Sequence, residues 1–320
     1  MTPREIVRRT IAFASPERLP RSFPEKYGDD FAWIGMSPSP DARPGNKAGL
    51  ETDEWGAVWE NLGVCNLGEV KEFPLKTWDD FKTLKIPDIA APGRWENLPG
   101  ARARAGDRYL LAGGISLYER AHFLRGLENL WLDIYDEREN LEKLLDVLVD
   151  LNLGAIARYR AESPDGYIFW DDWGLQNQLM ISPGAWREIW KPRYAKVFQA
   201  AHAAGMQTIL HSCGHIVDIL DDFIEAGLDV IQMDQQENMG LDLLSRRFKG
   251  RIAFWCPVDI QSVMCRGSLD DIRRYCHDLY AKLGSPKGGF LPKWYSDAKG
   301  AGHRQEAIDA MCEEFLKLSP

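Results

Sequence analysis

No run of the chain approaches the roughly 20 consecutive apolar residues that a membrane-spanning helix requires. The opening segment, MTPREIVRRTIAFASPERLP, holds basic residues but no uninterrupted apolar stretch, and reads as an amphipathic helix of the mature protein, not an export signal. Paired cysteines are missing as well: six are scattered over 320 residues with no CxxC. That spacing gives no disulfide framework and fits a reduced, cytoplasmic protein. Positive charge is scarce. A net charge of −9 argues against non-specific nucleic-acid binding, which needs a basic face. No GxGxxG follows a first strand, so a doubly wound dinucleotide-binding sheet is only the second choice of fold. Low-complexity tracts and short repeats are absent, and the proline-rich SPSPDARPGNKA (37–48) reads as a loop.

What is present is a βα alternation. With 45% hydrophobic and 27% charged residues, the chain can bury a large core without a metal or disulfide staple. Apolar runs ending in polar residues stand at GYIFWDDWG (166–174), MQTILHSCG (206–214), LDVIQMDQQ (228–236), RIAFWCPVD (251–259) and KGGFLPKW (287–294). Segments of helical spacing separate them, with Ser182-Pro183 and Ser268 as N-terminal caps and Gly227 as a stop. RYLLAGGI (108–115) is a sixth strand, and 18–23 and 52–59 are weaker candidates. Eight strands predict one α/β domain over 1–320, a (β/α)8 (TIM) barrel with an N-terminal helical extension.

In such a barrel the chemistry sits at the carboxyl ends of the strands. There the sequence places Asp53-Glu54, Asp171-Asp172, His211-x-Cys213, Gln232-x-Asp234, Cys256-x-x-Asp259 and Lys293. Residues i and i+2 of a strand share a face, so His211 and Cys213 aim an imidazole and a thiol at one point, two of the ligands a catalytic zinc takes. Cys256 is the candidate third ligand, with burial before Pro257 as an equally good account of it. His211, Asp171, Asp172 and Asp259 are candidate catalytic groups, and only one of the two adjacent aspartates can face the mouth. Asp53, Glu54, Gln232 and Lys293, with Trp170, Trp173, Trp255 and Trp294 as walls, are candidate substrate contacts; core packing accounts equally for each tryptophan. Cys265, Cys276 and Cys312 read as inert, and Cys65 stays unassigned.

These residues resemble the uroporphyrinogen decarboxylase superfamily over nearly the whole chain. The resemblance lies in FWDDWGLQNQLMISPGAWREIWKPRY (169–194), ILHSCGHIVDILDDFIEAGLDVIQ (209–232) and FWCPVDIQSVMCRGSLDDIR (254–273). LRGLENLWLDI (124–134) and TDEWGAVW (52–59) add to it. The resemblance implies one of two chemistries. The decarboxylase branch uses no cofactor, an arginine-rich first-strand segment and a histidine after the eighth strand. Here RLPRSFPEKYG and FLPKWY stand in those places. The methyltransferase branch moves a methyl group between a corrinoid and a donor or acceptor, with zinc on His-x-Cys and a second Cys from the eighth strand. His211 and Cys213 match, but Lys293-Trp294 replaces the last ligand, leaving Cys256, Asp171 or Asp172 to complete the site. The expectation is therefore a methyltransferase acting on a small molecule, with zinc and a corrinoid on a partner protein. The alternatives are a metal-free carboxy-lyase, with Asp53, Asp172 or His211 stabilising a protonated ring, and a non-catalytic corrinoid- or small-acid-binding barrel. The oligomeric state is not written in the sequence.

Overall fold

The computed structural model describes residues 1–38, 49–61, 68–91 and 93–319. Cys65 and most of the proline-rich loop 37–48 lie outside them. Among the described residues ten strands run in chain order: β1 (Phe31–Ile34), β2 (Gly49–Thr52), β3 (Val58–Asn61), β4 (Gly68–Glu72), β5 (Tyr109–Gly113), β6 (Gly166–Trp170), β7 (Gln207–His211), β8 (Val230–Gln232), β9 (Ala253–Cys256) and β10 (Phe290–Pro292). Seven form one parallel sheet, ordered β1-β5-β6-β7-β8-β9-β10, curled into an α/β barrel of the (β/α)8 type.

Strand alternation divides the core in two. Phe31, Tyr109, Leu111, Ile168, Ile209, Val230, Ala253, Trp255 and Leu291 form the barrel interior. Their sequence neighbours, among them Leu110, Phe169, Leu210, Ile231, Phe254 and Cys256, belong to the outer layer that packs against the helices. The amphipathic N-terminal helix Pro3–Ile11 forms as predicted, with Thr2 as cap accepting from the Glu5 N–H and proline in its first turn. It turns Val7 and Ile11 into the interior cluster and so plugs the amino-terminal end of the barrel. Ser182 and Ser268 cap their helices as expected, Ser268 within a capping box with Asp271.

Two upstream expectations change. The first barrel strand is β1, which the sequence reading passed over. Segment 18–23 contributes isolated bridges instead of a strand, antiparallel from Ser22 to Asp29 and parallel from Ser22 to Lys293, beside β10. The buried Asp30 ties this segment down, accepting two bonds from the Arg18 guanidinium at 2.7 and 2.8 Å and the Arg21 N–H at 2.8 Å. Segment 52–59 is not a barrel strand either. It spans the turn between β2 and β3 of a separate antiparallel sheet, β2-β3-β4, inserted between β1 and β5. Among the described residues no helix is long and apolar enough to cross a membrane.

Candidate active site

The mouth of the barrel opens into a cavity of about 730 Å³. His211, the last residue of β7, stands in register with Trp170, the last of β6, and with Gln232, the last of β8. All three share the interior face with Ile209, Ile168 and Val230 and line the cavity. Cys213 and Asp234 lie two residues beyond His211 and Gln232 and line it too, as does Lys293, two beyond the interior Leu291.

Asp172 joins them because the loops after β6 and β7 touch. A Cβ on Gly214, whose φ is +76°, would lie 2.1 Å from the Gly174 carbonyl oxygen, and one on Gly174 would lie 2.2 Å from the His215 nitrogen. Only glycine permits that approach. It sets the Asp172 carboxylate 2.7 Å from the Cys213 N–H, which donates to it. His211 Nε2 then lies 3.3 Å from Cys213 Sγ and 3.4 Å from Asp172 Oδ1. Nitrogen, sulfur and oxygen donors all lie within 4.8 Å of one another. Ligands on a tetrahedral zinc, at about 2.0 Å for nitrogen or oxygen and about 2.3 Å for sulfur, are roughly 3.3–3.6 Å apart. The donor set fits such an ion, with Asp172 and not Cys256 as the third donor.

The other ring nitrogen is fixed from behind. His211 Nδ1 donates to Gln232 Oε1, Gln232 Nε2 donates to Asp234 at 2.8 Å, and Lys293 Nζ donates to the same Asp234 oxygen at 2.8 Å. Burial works against the imidazolium, yet the Cys213 sulfur and the Asp172 carboxylate outweigh it and hold His211 protonated well above its ordinary range. Burial would likewise raise Asp172, but the His211 hydrogen bond and charge bring it below the usual carboxylate range. Burial pushes the Cys213 thiol up against the pull of His211. A proton held among N, S and O ligands is the proton that metal binding releases.

The remaining candidates lie elsewhere. Asp171 faces outward and is fully buried. It accepts from the backbone N–H groups of Leu117, Tyr118 and Glu119 at 2.8–3.0 Å and from the Tyr194 hydroxyl at 2.7 Å. It thereby pins the start of the helix Tyr118–Arg125. Cys256 belongs to the outer layer, and burial drives its thiol far above the ordinary value, away from the thiolate a metal needs. Asp259 accepts from the Gln261, Ser262 and Val263 N–H groups and the Ser262 hydroxyl, organising the turn into helix Val263–Arg266. Asp53 holds its own turn through the Trp55 and Ala57 N–H groups and meets Trp59 Nε1 and Arg120. Glu54 pairs with Arg94. Trp173 is buried, donating to Tyr194 at 2.9 Å and stacking on Tyr118. Trp255 stacks on Phe31 inside the barrel, and Trp294 packs at the core edge with its backbone N–H on the Ser22 carbonyl. Of the four tryptophans named as walls, Trp170 alone lines the cavity.

The structure adds Glu119, Trp59, Phe123 and Tyr295 to the lining. Glu119 matters most: burial, then repulsion from Asp172 and Asp171, pushes its carboxyl up to about 8 against His211 and Arg120. A signal for it existed. It was only partial: 108–115, like 18–23, carries no polar candidate at its end, and Glu119 enters the mouth from the helix that follows β5.

The sequence profile of the uroporphyrinogen decarboxylase (URO-D) family matches residues 69–290. No curated protein sequence matches the chain. Among solved structures, a methyltransferase from Methanosarcina mazei superposes with a TM-score of 0.71 at 15% identity, covering 98% of both chains. At that identity the likeness is one of fold. A D-psicose 3-epimerase (TM-score 0.40, 12% identity, 69% of this chain and 80% of that one) and an intracellular xylanase from Thermoanaerobacterium saccharolyticum (0.41, 14%, 69% and 82%) are more distant. The family match spans more than half of the chain and coincides with the strands that carry His211, Cys213 and Asp172, and the chain belongs to the uroporphyrinogen decarboxylase (URO-D) family.

Proposed function

We propose that the chain is a zinc-assisted methyltransferase, moving a methyl group between a small-molecule donor or thiol and a corrinoid borne by a separate protein. The observation that carries this reading is the spacing of His211 Nε2, Cys213 Sγ and Asp172 Oδ1 on one wall of the cavity, with the opposite side open to a ligand. The methyltransferase fold neighbour agrees with it. Held by His211, Cys213 and Asp172, a zinc ion would supply Lewis acidity to a bound thiol or to the heteroatom that bears the methyl.

The rest of the work falls to the chain. A methyl group that leaves as a cation equivalent leaves an electron pair on the heteroatom, and Glu119, which keeps its proton to about pH 8, is placed in the same cavity to neutralise it. Trp59, Phe123, Trp170 and Tyr295 supply apolar walls that exclude water. The charge pattern favours an uncharged substrate. Lys293 is spent on Asp234 and Arg120 on Asp53, and among the described residues no arginine lines the cavity. A polycarboxylate ring, as decarboxylation of uroporphyrinogen would require, finds no free lysine or arginine there among the described residues.

Metal analysis tests the reading. Protein purified without chelator is expected to carry close to one zinc per chain, and Cys213→Ser to lose most of it. Substoichiometric zinc that stays the same in Cys213→Ser would overturn the proposal.

A further inference from the structure

Asp234 and Lys293 touch none of the three donor atoms within hydrogen-bond distance; Asp234 Oδ2 stands 4.0 Å from His211 Nδ1, beyond a hydrogen bond, and the bonded link from this pair to the ring runs through Gln232. Gln232 and Asp234 are buried, at 5% and 4% exposure, so neither swings freely into water. An ionised carboxylate has lone pairs and no proton, so Asp234 accepts and never donates. The Gln232 group 2.8 Å from it is therefore the amide NH2, and the Gln232 oxygen must be the atom that faces His211. An oxygen in that place demands a proton on Nδ1. In the neutral ring the lone pair then sits on Nε2, the nitrogen 3.3 Å from Cys213 Sγ and 3.4 Å from Asp172. Lys293 closes the series. Its ammonium binds the same Asp234 oxygen at 2.8 Å and supplies the counter-charge that a buried carboxylate needs.

We infer that Asp234 and Lys293 form a positioning pair. Acting through the Gln232 amide, they fix His211 in the tautomer with Nδ1 protonated, so that Nε2 is presented to the metal. Lys293 stands at the strand end where the family resemblance implies a ligating cysteine. In this chain that position orients a ligand from a distance instead of supplying one. The inference rests on the metal reading for its purpose, but the tautomer lock itself is a property of the metal-free protein.

Two readouts separate those levels. Long-range ¹H–¹⁵N spectra of metal-free, ¹⁵N-histidine-labelled protein, at a pH where the ring is neutral, report which nitrogen of His211 bears the proton. The wild type is expected to show Nδ1–H. Asp234→Asn lets the neighbouring amide present either end, so Gln232 can turn over; the expected result is a mixed tautomer and a 10–100-fold loss of zinc affinity by calorimetry. The double variant Asp234→Asn with Gln232→Glu moves the carboxylate next to Nδ1, where it again only accepts, and is expected to restore the tautomer. Lys293→Met is expected to lose part of the zinc affinity, between wild type and Asp234→Asn. Nε2–H in the wild type overturns the inference whatever the variants do. So does an Asp234→Asn protein that folds with tautomer and zinc affinity unchanged, or a double variant that stays mixed. A wild type that shows Nδ1–H but binds no zinc sustains the lock and overturns the proposed function alone.

Discussion

Asp171 and Asp172 are neighbours in the chain and lie in two different regions of the molecule. Asp171 points between β6 and the helical layer, where water is absent and four donors converge on it. Asp172 points into the mouth, where it meets His211 and the Cys213 N–H and borders open space. Their ionisation differs in the same sense. Burial pushes Asp171 up to about 7, whereas His211 overcomes burial and holds Asp172 below the ordinary carboxylate range. The contrast teaches that identical side chains one residue apart are assigned to stability or to chemistry by strand parity alone. Glu119 connects the two regions: Asp171 holds its backbone N–H, and Asp172 repels its side chain.

Substitution at Asp172 is the strongest way to break the comparison. Asp172→Asn keeps an acceptor for the Cys213 N–H but removes the anionic donor. Zinc affinity should fall by more than the roughly 100-fold that losing an outer partner of a ligand costs, with the melting temperature nearly unchanged. A variant that melts several degrees lower but holds its metal would mean that Asp172 acts as Asp171 does.

Next in size is Glu119→Gln, expected to slow the proposed methyl transfer by about 100-fold, the lower range of general acid catalysis, while metal content stays at the wild-type level. The sign of its pH effect is fixed by which form acts. In the proposed reaction protonated Glu119 is the donor and is lost above about pH 8, so the wild-type rate should fall there, and this limb should be missing in Glu119→Gln.

Asp171→Asn should do the reverse of Asp172→Asn. An asparagine turns an NH2 toward backbone donors that need acceptors, at a cost of about 2–4 kcal/mol, or roughly 3–6 °C in melting temperature for a chain of 320 residues, with the proposed zinc binding intact. Because the folded state raises Asp171 from 3.8 to about 7, it binds the proton more tightly than the unfolded chain. That contribution is complete below pH 3.8 and fades as pH rises through about 7. The stability gap between wild type and variant should therefore narrow across that window. A gap that widens with pH would mean that the carboxylate form is the stabilising one.

Much of this was legible from strand alternation. His211 with Cys213 and Gln232 with Asp234 share a face because each pair is two residues apart, and the structure places all four on the cavity wall. The run of alternating βα segments likewise foretold β5 to β10. Other features depended on distances the sequence does not display. Strand β1 is four residues long and is set by the Arg18–Asp30 tie. The segment 52–59 has strand-forming residues but pairs with β4 in an inserted sheet. Parity sends Asp172 inward, but its reach to His211 and Cys213 depends on the Gly174–Gly214 contact between loops 40 residues apart. Glu119 lies beyond the end of β5, on the next helix, where a count of strand ends does not reach.

The smallest expected effect tests the same parity rule from the other side. Cys256 ends β9 beside the interior Trp255, and from sequence it competes with Asp172 for the metal. Trp255 takes the inward position, so Cys256 must face the helices, in a setting where burial opposes thiolate formation. Cys256→Ala removes one sulfur from a packed layer and leaves every donor around His211 in place. It should cost about 1 kcal/mol of stability and leave zinc stoichiometry and affinity at the wild-type level. Loss of metal in this variant, with Asp172→Asn still loaded, would transfer the third-ligand role to Cys256. That result would require the end of β9 to turn over so that residue 256 faces the mouth, which would also move Trp255 off its stack on Phe31. Tryptophan fluorescence of the two variants, read alongside their metal content, therefore checks the ligand assignment and the strand geometry behind it.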